Sequence, residues 1–289
     1  MKPAPFDYYA PTTLDSALEV LSQLGDDAKV LAGGQSLVPM LNMRLTRFDA
    51  LVDIGRVEEL RTIERTNGTV TLGAMVAQCE VERDATVAAG VPLLTKATPL
   101  IGHFQIRSRG TVGGSIAHAD PAAEYPAVAL TLDAELEVAG PNGRRSIAAA
   151  EFFLGTWMTT IGADEILVAA RFPVWGAGSG FAVEEVARRH GDFAIAGAAV
   201  GVTVTGGQVS RAAVGLFGMG PTPLRASAAE GALMGATAAG LDPAEIGRLA
   251  VEGLEPPDDL HASSGLRTRI GAASVSRALQ RAIEEAGRA

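Results

Sequence analysis

Cysteine is almost absent from this sequence. The 289 residues include a single cysteine, Cys79, so no disulfide can form within the chain, and a reducing compartment is expected. Iron–sulfur clusters usually take four thiolate ligands. The chain therefore cannot hold such a cluster by itself.

The sequence also lacks excess positive charge and long apolar runs. A net charge of -9 and a pI near 5.0 argue against a nucleic-acid surface, which requires clustered Lys and Arg. The longest weakly polar stretch, residues 193–204, is too short and too interrupted by Gly and Thr to span a bilayer. The start, MKPAPFDYYAP, has no charged residues followed by an apolar run, so no signal peptide is predicted. We expect a cytoplasmic protein.

The first 56 residues alternate between strand and helix signals. Strands are predicted at residues 6–10, 29–32 and 50–54. A helix after Thr12 or Thr13 has its apolar side chains on one face and ends at Gly25. This β-α-β-α-β order is typical of parallel strands joined by crossover helices.

The pattern changes from about residue 61. Asn67-Gly68 and Pro141-Asn142-Gly143 lie between short strand-like runs and predict two hairpins. Helices are expected at residues 76–83, 93–101 and 121–130, and a strand at residues 165–172. The small, flexible segment WGAGSG at residues 175–180 is a candidate boundary.

Beyond that boundary, strand signals come before helix signals. Strands are predicted at residues 181–187, 194–205 and 210–217, and helices at 224–234, 244–253 and 266–286. Strands followed by a run of helices indicate an α+β module. The predicted organisation is a domain at 1–176, with subdomains at about 1–56 and 57–176, and a smaller α+β domain at 177–289.

Two glycine-rich segments carry most of the functional information. AGGQSLVP (residues 32–39) and RGTVGGSIAHADPAAEY (residues 109–125) each combine a Gly-Gly turn with a following Ser at a strand-to-helix junction. Backbone N–H groups in such turns can face an anion with no Cβ in the way. Together the pair suggests a diphosphate bound from two sides. The alternative is two ordinary tight turns. Neither segment matches GxGxxG, which disfavours a standard Rossmann site.

The two segments, with IGHFQIRSRGTVGGSIAHADPAAEYPA about 70 residues after AGGQS, resemble the FAD-binding medium subunit of molybdenum hydroxylases. This family includes the flavoprotein chains of carbon monoxide dehydrogenase-type enzymes and a module of xanthine dehydrogenase. The resemblance covers essentially the whole chain, including ARRHGDFA and DLHASSGLR in its C-terminal part. It implies a two-subdomain FAD-binding domain of the PCMH/vanillyl-alcohol-oxidase type, followed by the smaller α+β domain.

The resemblance also implies the cofactor contacts. The first segment would bind the FAD diphosphate, and the second would add to this site. Glu124 lies where the family places an acidic contact to the sugar-like part of FAD, and some relatives carry a flavin-contacting Lys where this chain has Glu184 and Glu185. The implied cofactor-binding residues are Ala32, Gly33, Gly34, Gln35, Ser36, Thr111, Gly113, Gly114, Ser115 and Glu124.

The implied function is electron transfer. FAD joins one-electron carriers to two-electron acceptors. In such a complex a large molybdopterin subunit oxidises the substrate, a small iron–sulfur subunit relays electrons to FAD, and no side chain of this chain is catalytic. The implied assembly is a dimer of heterotrimers. Two alternatives stay open: a stand-alone FAD-dependent oxidase or dehydrogenase, and a flavin-free assembly subunit.

Other polar residues have simpler interpretations. His118 and Asp120 have a spacing compatible with a metal, but no third ligand is evident, so no metal site is predicted. Arg107 and Arg109 could bind phosphate, or each could form a salt bridge. His103 and His190 are interpreted as structural residues, and the His190-Gly191-Asp192 turn could border the flavin ring.

Overall fold

The structure of the protein is a computed structural model, and it describes residues 1–288. It contains three main β-sheets, which follow one another along the chain and combine with helices as an α+β fold. Among these residues, no helix is both long enough and apolar enough to cross a membrane.

The first sheet is parallel, as predicted. Its strands have the order β1-β3-β2, and two helices connect them: β1 Asp7–Tyr9, α1 Leu14–Leu24, β2 Ala28–Leu31, α2 Leu37–Asn42 and β3 Ala50–Asp53. The local signals explain α1. The Thr13 side chain accepts a hydrogen bond from Ser16 N–H at the helix N-terminus, and Gly25 ends the helix at a φ of 56°.

The second sheet is antiparallel and has the order β4-β5-β10-β6-β7. Asn67-Gly68 forms the first predicted hairpin turn with both φ angles positive, and Pro141-Asn142 turns the second. Seven helices and a small two-stranded sheet belong to the same part of the chain. The elements are β4 Ile63–Thr66, β5 Thr69–Gly73, α3 Gln78–Val81, α4 Ala85–Gly90, α5 Pro92–Ala97, α6 Phe104–Arg107, α7 Val112–His118, α8 Glu124–Thr131, β6 Glu135–Gly140, β7 Gly143–Ala148, α9 Ala149–Phe152, β8 Phe153–Gly155, β9 Met158–Thr159 and β10 Ile166–Pro173.

The third sheet has the order β11-β12-β13-β14, and three helices follow it. The elements are β11 Ser179–Ala187, β12 Ala194–Thr205, β13 Gln208–Phe217, β14 Leu224–Arg225, α10 Ser227–Leu233, α11 Pro243–Val251 and α12 Ser264–Ala286. The single helix predicted at residues 224–234 is wrong at its start, because Leu224 and Arg225 pair with β13 before α10 begins.

Alternation along β12 decides which face packs where. Ala198, Val200 and Val202 belong to a core shared with α11 and α12, whereas Ala199 on the opposite face joins the core around the second sheet. Two hydrogen bonds add to this contact. Lys96 Nζ donates to the carbonyl of Phe181 at 2.7 Å, and Gly218 N–H donates to the carbonyl of Pro121 at 2.7 Å. The third sheet is therefore packed directly against the segment that contains Glu124.

Candidate cofactor-binding site

A cleft of about 710 Å³ lies beside the first sheet. The residues that follow β2 and β3 line it from one side, and the residues just before α7 line it from the other. Loops after parallel strands meet at one edge of the sheet, which is the usual place for a ligand in such a sheet. Five predicted cofactor-binding residues line this cleft: Ala32, Gly33, Gly34, Gln35 and Thr111.

The first glycine segment leaves its backbone donors free. Within residues 1–288, the N–H groups of Gly33, Gly34, Gln35 and Ser36 have no protein acceptor. Gly34 has a φ of 71°, and the Gln35 side chain closes the loop by donating to the carbonyl of Gly33 at 2.9 Å. Consecutive unpaired N–H groups around a left-handed residue form an anion-binding concavity.

The second glycine segment is built differently from the prediction. Gly113 and Gly114 form the first turn of α7 rather than a Gly-Gly turn, because the Thr111 hydroxyl caps the helix by accepting from Gly114 N–H at 3.0 Å. The N–H of Gly113 donates to Ala74, and that of Ser115 to the carbonyl of Thr111. The N–H groups of these three residues are thus occupied within the protein.

The two glycine segments nevertheless meet, as the sequence predicted. A Cβ on Gly114 would lie 3.3 Å from the Cβ of Ala32, and a Cβ on Gly33 would collide with the backbone of Arg109 and Gly110. The glycines allow this approach because any side chain at either position would push the segments apart. Two stretches separated by some 70 residues of sequence therefore form one wall.

The charge of the cleft is opposite to that of the whole chain. Arg56, Arg61 and Arg109 line it together with one acidic residue, Asp53. Asp53 already accepts hydrogen bonds from the Tyr8 hydroxyl at 2.5 Å and from Gly55 N–H at 2.7 Å. The remaining positive charge and the free N–H groups suit a diphosphate.

Arg107 does not belong to the cleft. Its Nε lies 3.0 Å from Oε2 of Glu82, and its guanidinium also donates to the carbonyl of Ile101. Of the two arginines that the sequence singled out, Arg109 lines the cleft and Arg107 forms a salt bridge.

Glu124 lies outside the cleft, at the first residue of α8, with 8% of its surface exposed. Burial, and then the nearby charge of Glu185, raise the pKa of Glu124 to about 8. Burial also raises the pKa of Glu185 to about 7. The charge of Glu185 on β11 therefore acts on the Glu124 carboxyl at the start of α8.

Strand alternation explains why Glu185, rather than Glu184, faces this position. Val183 packs against a cluster formed by Ala127 of α8 with Ala194 and Phe217, and Glu185 follows two residues later on the same face of β11. Glu184 points the opposite way and pairs with Arg281 of α12. The acid adjacent to the predicted site is therefore Glu185.

Trp157 is a residue that the sequence analysis missed. It lies between β8 and β9, and its ring stacks on His118 with centroids 6.1 Å apart and planes 17° apart. Its Nε1 donates to Oδ2 of Asp120 at 3.2 Å. No periodic pattern marks this tryptophan in the sequence, since it belongs to a short turn.

His118 and Asp120 both contact Trp157, and within the described part of the chain no further metal-ligating side chain joins them. Asp120 also accepts from Ala122 N–H at 2.9 Å. Burial lowers the pKa of His118, with a smaller opposing effect from Asp120. Among residues 1–288, no three His, Cys, Asp or Glu side chains are grouped so that they could hold a metal ion.

Two further histidines, His103 and His190, lie close together on the surface. The rings of His103 and His190 have centroids 6.1 Å apart, and a Cβ on Gly191 would lie 2.7 Å from Cε1 of His103. The turn between β11 and β12 therefore rests on the residues just before α6.

Two family models match the chain. Residues 4–175 match the FAD binding domain in molybdopterin dehydrogenase, and residues 181–282 match the C-terminal domain of the CO dehydrogenase flavoprotein.

Similar proteins cover nearly the whole chain. It is 41% identical to the 6-hydroxypseudooxynicotine dehydrogenase complex subunit alpha of Paenarthrobacter nicotinovorans, over 99% of this chain and 97% of that one. It is 39% identical to the carbon monoxide dehydrogenase medium chain of Hydrogenophaga pseudoflava, over 98% of both. A chain in the structure of carbon monoxide dehydrogenase from Hydrogenophaga pseudoflava that lacks the Mo-pyranopterin moiety superposes with a TM-score of 0.95, at 41% identity and 99% coverage of both chains.

Proposed function

Because this chain belongs to the family of FAD-binding domains in molybdopterin dehydrogenases, we propose that it is the electron-transfer flavoprotein subunit of a molybdenum hydroxylase complex. It is an FAD-dependent oxidoreductase subunit of the carbon monoxide dehydrogenase and xanthine dehydrogenase type. In this proposal a small iron–sulfur subunit delivers electrons, an external acceptor removes them, and a large molybdopterin subunit oxidises the substrate. The proposed assembly is a cytoplasmic dimer of heterotrimers.

The free N–H groups of the first glycine segment carry this proposal. Four consecutive free donors run from Gly33 to Ser36, and the first three of these residues line a cleft that also holds Arg56 and Arg109. A diphosphate needs several donors and positive charge, and both are present on a chain whose net charge is -9. The residues therefore fit FAD, with Ala32, Gly33, Gly34, Gln35 and Ser36 as its diphosphate contacts.

The second segment would bind FAD by other means than free backbone amides. Thr111 lines the cleft, and the Ser115 hydroxyl has no hydrogen-bond partner among residues 1–288. The contribution of Gly113 and Gly114 is space: Gly113 packs against Ala74, and Gly114 against Ala32. In this proposal the two glycines allow the segments to pack closely, while the hydroxyl groups of Thr111 and Ser115 bind the cofactor.

Glu124 would contact the sugar-like chain of the cofactor. A carboxyl that stays partly protonated near neutral pH can both donate and accept hydrogen bonds to hydroxyl groups. When bound, FAD supplies the exchange between one-electron and two-electron chemistry. The side chains of this chain would bind and orient it, and none would act as acid or base on the substrate.

The division of the chain follows from the same proposal. We assign the FAD-binding domain to residues 1–176, with subdomains at about 1–56 and 57–176, and the C-terminal domain to residues 177–289. The first two sheets lie within residues 7–173 and the third within residues 179–225, which supports this division. The third sheet would hold Glu185 against Glu124.

Purification of a tagged chain from its native host tests the function. We expect it to bring down two further polypeptides, with FAD, molybdenum and iron in the preparation and a flavin band in the visible spectrum. A single yellow polypeptide that turns over a substrate alone would instead identify a stand-alone oxidase or dehydrogenase. A complex without flavin, even after FAD is added, would identify an assembly subunit.

A further inference from the structure

Trp157 adopts a backbone conformation that is unusual for a large side chain. Its φ is 58°, and it occupies the second central position of the two-residue turn between β8 and β9. Turns with a positive φ at this position normally carry Gly or Asn. Such conformations are strained and persist where the surrounding structure holds them, often at functional sites.

Three contacts hold Trp157 in place. Its N–H donates to the carbonyl of Ala119 at 3.1 Å, its Nε1 donates to Asp120, and one ring face lies on His118. Ala119 itself has a φ of 52°, so both sides of this contact use left-handed backbone. The orientation of the indole ring is therefore fixed by the backbone hydrogen bond of Trp157 and by the hydrogen bond from its Nε1.

The opposite side of the same ring remains open. Trp157 is 52% exposed although one of its faces is covered by His118. Nothing within residues 1–288 hydrogen-bonds to the ring except Asp120. A fixed aromatic ring with one open face is suited to stacking against another flat ring.

Trp157 also lies beside the proposed flavin contacts. His118 is in α7, one turn after Ser115, and Asp120 is four residues before Glu124. We propose that the open face of Trp157 is a stacking subsite for a planar, uncharged electron acceptor of the quinone class. This inference rests on the proposed function, because the subsite is useful only next to a reduced flavin.

Local charge favours an uncharged acceptor. Asp120 and Lys29 act on His118 with opposite signs, and burial keeps the imidazole neutral at pH 7 because it lowers the pKa. A dinucleotide acceptor would bring two negative phosphates next to Asp120, whereas a quinone brings none. In the reaction, the quinone takes up two electrons and two protons to become the hydroquinone, and the reduced flavin is returned to its oxidised form.

The test follows reoxidation of the complex and needs no knowledge of its substrate. The purified complex is reduced with dithionite without oxygen, and flavin absorbance is followed in a stopped-flow instrument after mixing with menadione, NAD⁺ or ferricyanide. The variants are Trp157→Ala, Trp157→Phe, which keeps a ring, and Met158→Ala. Met158 is the matched control, because it is 59% exposed on the same turn and does not stack on His118.

We expect Trp157→Ala to raise the menadione concentration for half-maximal reoxidation by roughly threefold to tenfold, the value of one aromatic pair. Trp157→Phe and Met158→Ala should remain close to the wild type, and the ferricyanide rate should be unchanged in all three variants, since this small inorganic ion does not stack.

Four outcomes would overturn the inference. In the first, the reoxidation rate of Trp157→Ala depends on menadione concentration as in the wild type, and in the second, the variant loses as much rate with ferricyanide as with menadione. In the third, reoxidation saturates with NAD⁺ instead of menadione and this saturation depends on Trp157. In the fourth, Trp157→Ala loses a partner subunit during purification. The last would make Trp157 a docking residue. A wild-type complex that contains no flavin would refute the proposed function instead, so the two failures are distinguishable.

Discussion

Gly33 and Arg109 touch through their backbones: a Cβ on Gly33 would lie 2.1 Å from the carbonyl oxygen of Arg109 and 2.9 Å from the Cα of Gly110. No side chain can be accommodated at that distance unless the backbone moves. This contact joins the loop with the free N–H groups to the segment that leads into α7. The width of the proposed diphosphate site depends on it.

Gly33→Ala should therefore impair both binding and stability. We expect the variant complex to lose most of its FAD, because the first loop must move away from Arg109, and to be destabilised by about 1–3 kcal/mol. The measurements are the ratio of flavin to protein absorbance and the midpoint of urea unfolding. Gly231→Ala is the control: Gly231 lies in α10 with nothing within 4 Å of its added Cβ. Full flavin content in Gly33→Ala would contradict the site.

Two substitutions at Gly114 separate the steric effect of a side chain on FAD binding from the effect of a negative charge. Any Cβ there lies 2.7 Å from Oγ1 of Thr111 and 3.3 Å from the Cβ of Ala32, so Gly114→Ala and Gly114→Asp share one steric cost. Only the aspartate adds a negative charge next to the proposed diphosphate. We expect FAD to bind Gly114→Asp at least about tenfold more weakly than Gly114→Ala. Equal affinities in a fluorescence titration of the two apo complexes would show that the diphosphate lies elsewhere.

The stability of the chain should depend on pH through Glu124. Its pKa is near 4.5 when exposed and about 8 in the folded chain. The folded state therefore holds a proton that the unfolded state has lost, and the resulting stability declines as pH rises towards 8. Replacing Glu124 with Gln removes this ionisation, so between about pH 5 and pH 8 Glu124→Gln should lose less stability than the wild type.

Thermal unfolding of the full chain across that pH range measures the effect. Glu184→Gln is the matched control, since Glu184 neighbours Glu185 in β11 but points to Arg281, away from Glu124. It should keep the pH dependence of the wild type. If wild type and Glu124→Gln show parallel melting temperatures throughout, the carboxyl does not hold its proton.

Arg267 should be a key stabilising residue of the C-terminal domain. It is 5% exposed and donates to the carbonyls of Ile195 and Gly218 and, at 2.7 Å, to Asp259. Gly218 in turn donates to Pro121, three residues before Glu124. Arg267→Met leaves these acceptors unpaired and should lower the free energy of unfolding by about 3 kcal/mol.

The conservative variant sharpens this prediction. Arg267→Lys should recover only part of the loss, because one ammonium group cannot reach acceptors on several sides as a guanidinium does. Urea unfolding of both variants gives the comparison. An unfolding midpoint in Arg267→Met that equals the wild type would exclude a stabilising role for these hydrogen bonds.

Features of the fold that depend on local interactions were predictable from the sequence. The cap at Thr13, the stop at Gly25 and the turn at Asn67-Gly68 each depend on a few neighbouring residues, and all three are observed. The interpretation of Gly113-Gly114 as a turn was wrong, because helix α7 is stabilised there by the Thr111 cap and by close packing against Ala74, some 40 residues earlier. Leu224 and Arg225 likewise become a strand because β13 offers them an edge.

The sequence alone determined that two glycine-rich segments exist, that the first lies within a β-α-β-α-β unit, and which family they resemble, because caps, turns and periodicity act over a few residues. Only the tertiary structure decided that Gly33 meets Arg109, that Glu185 rather than Glu184 faces Glu124, and that Trp157 stacks on His118. These relationships join residues far apart in the chain. Sheet order and the packing between the sheets bring them together, and neither has a local signature.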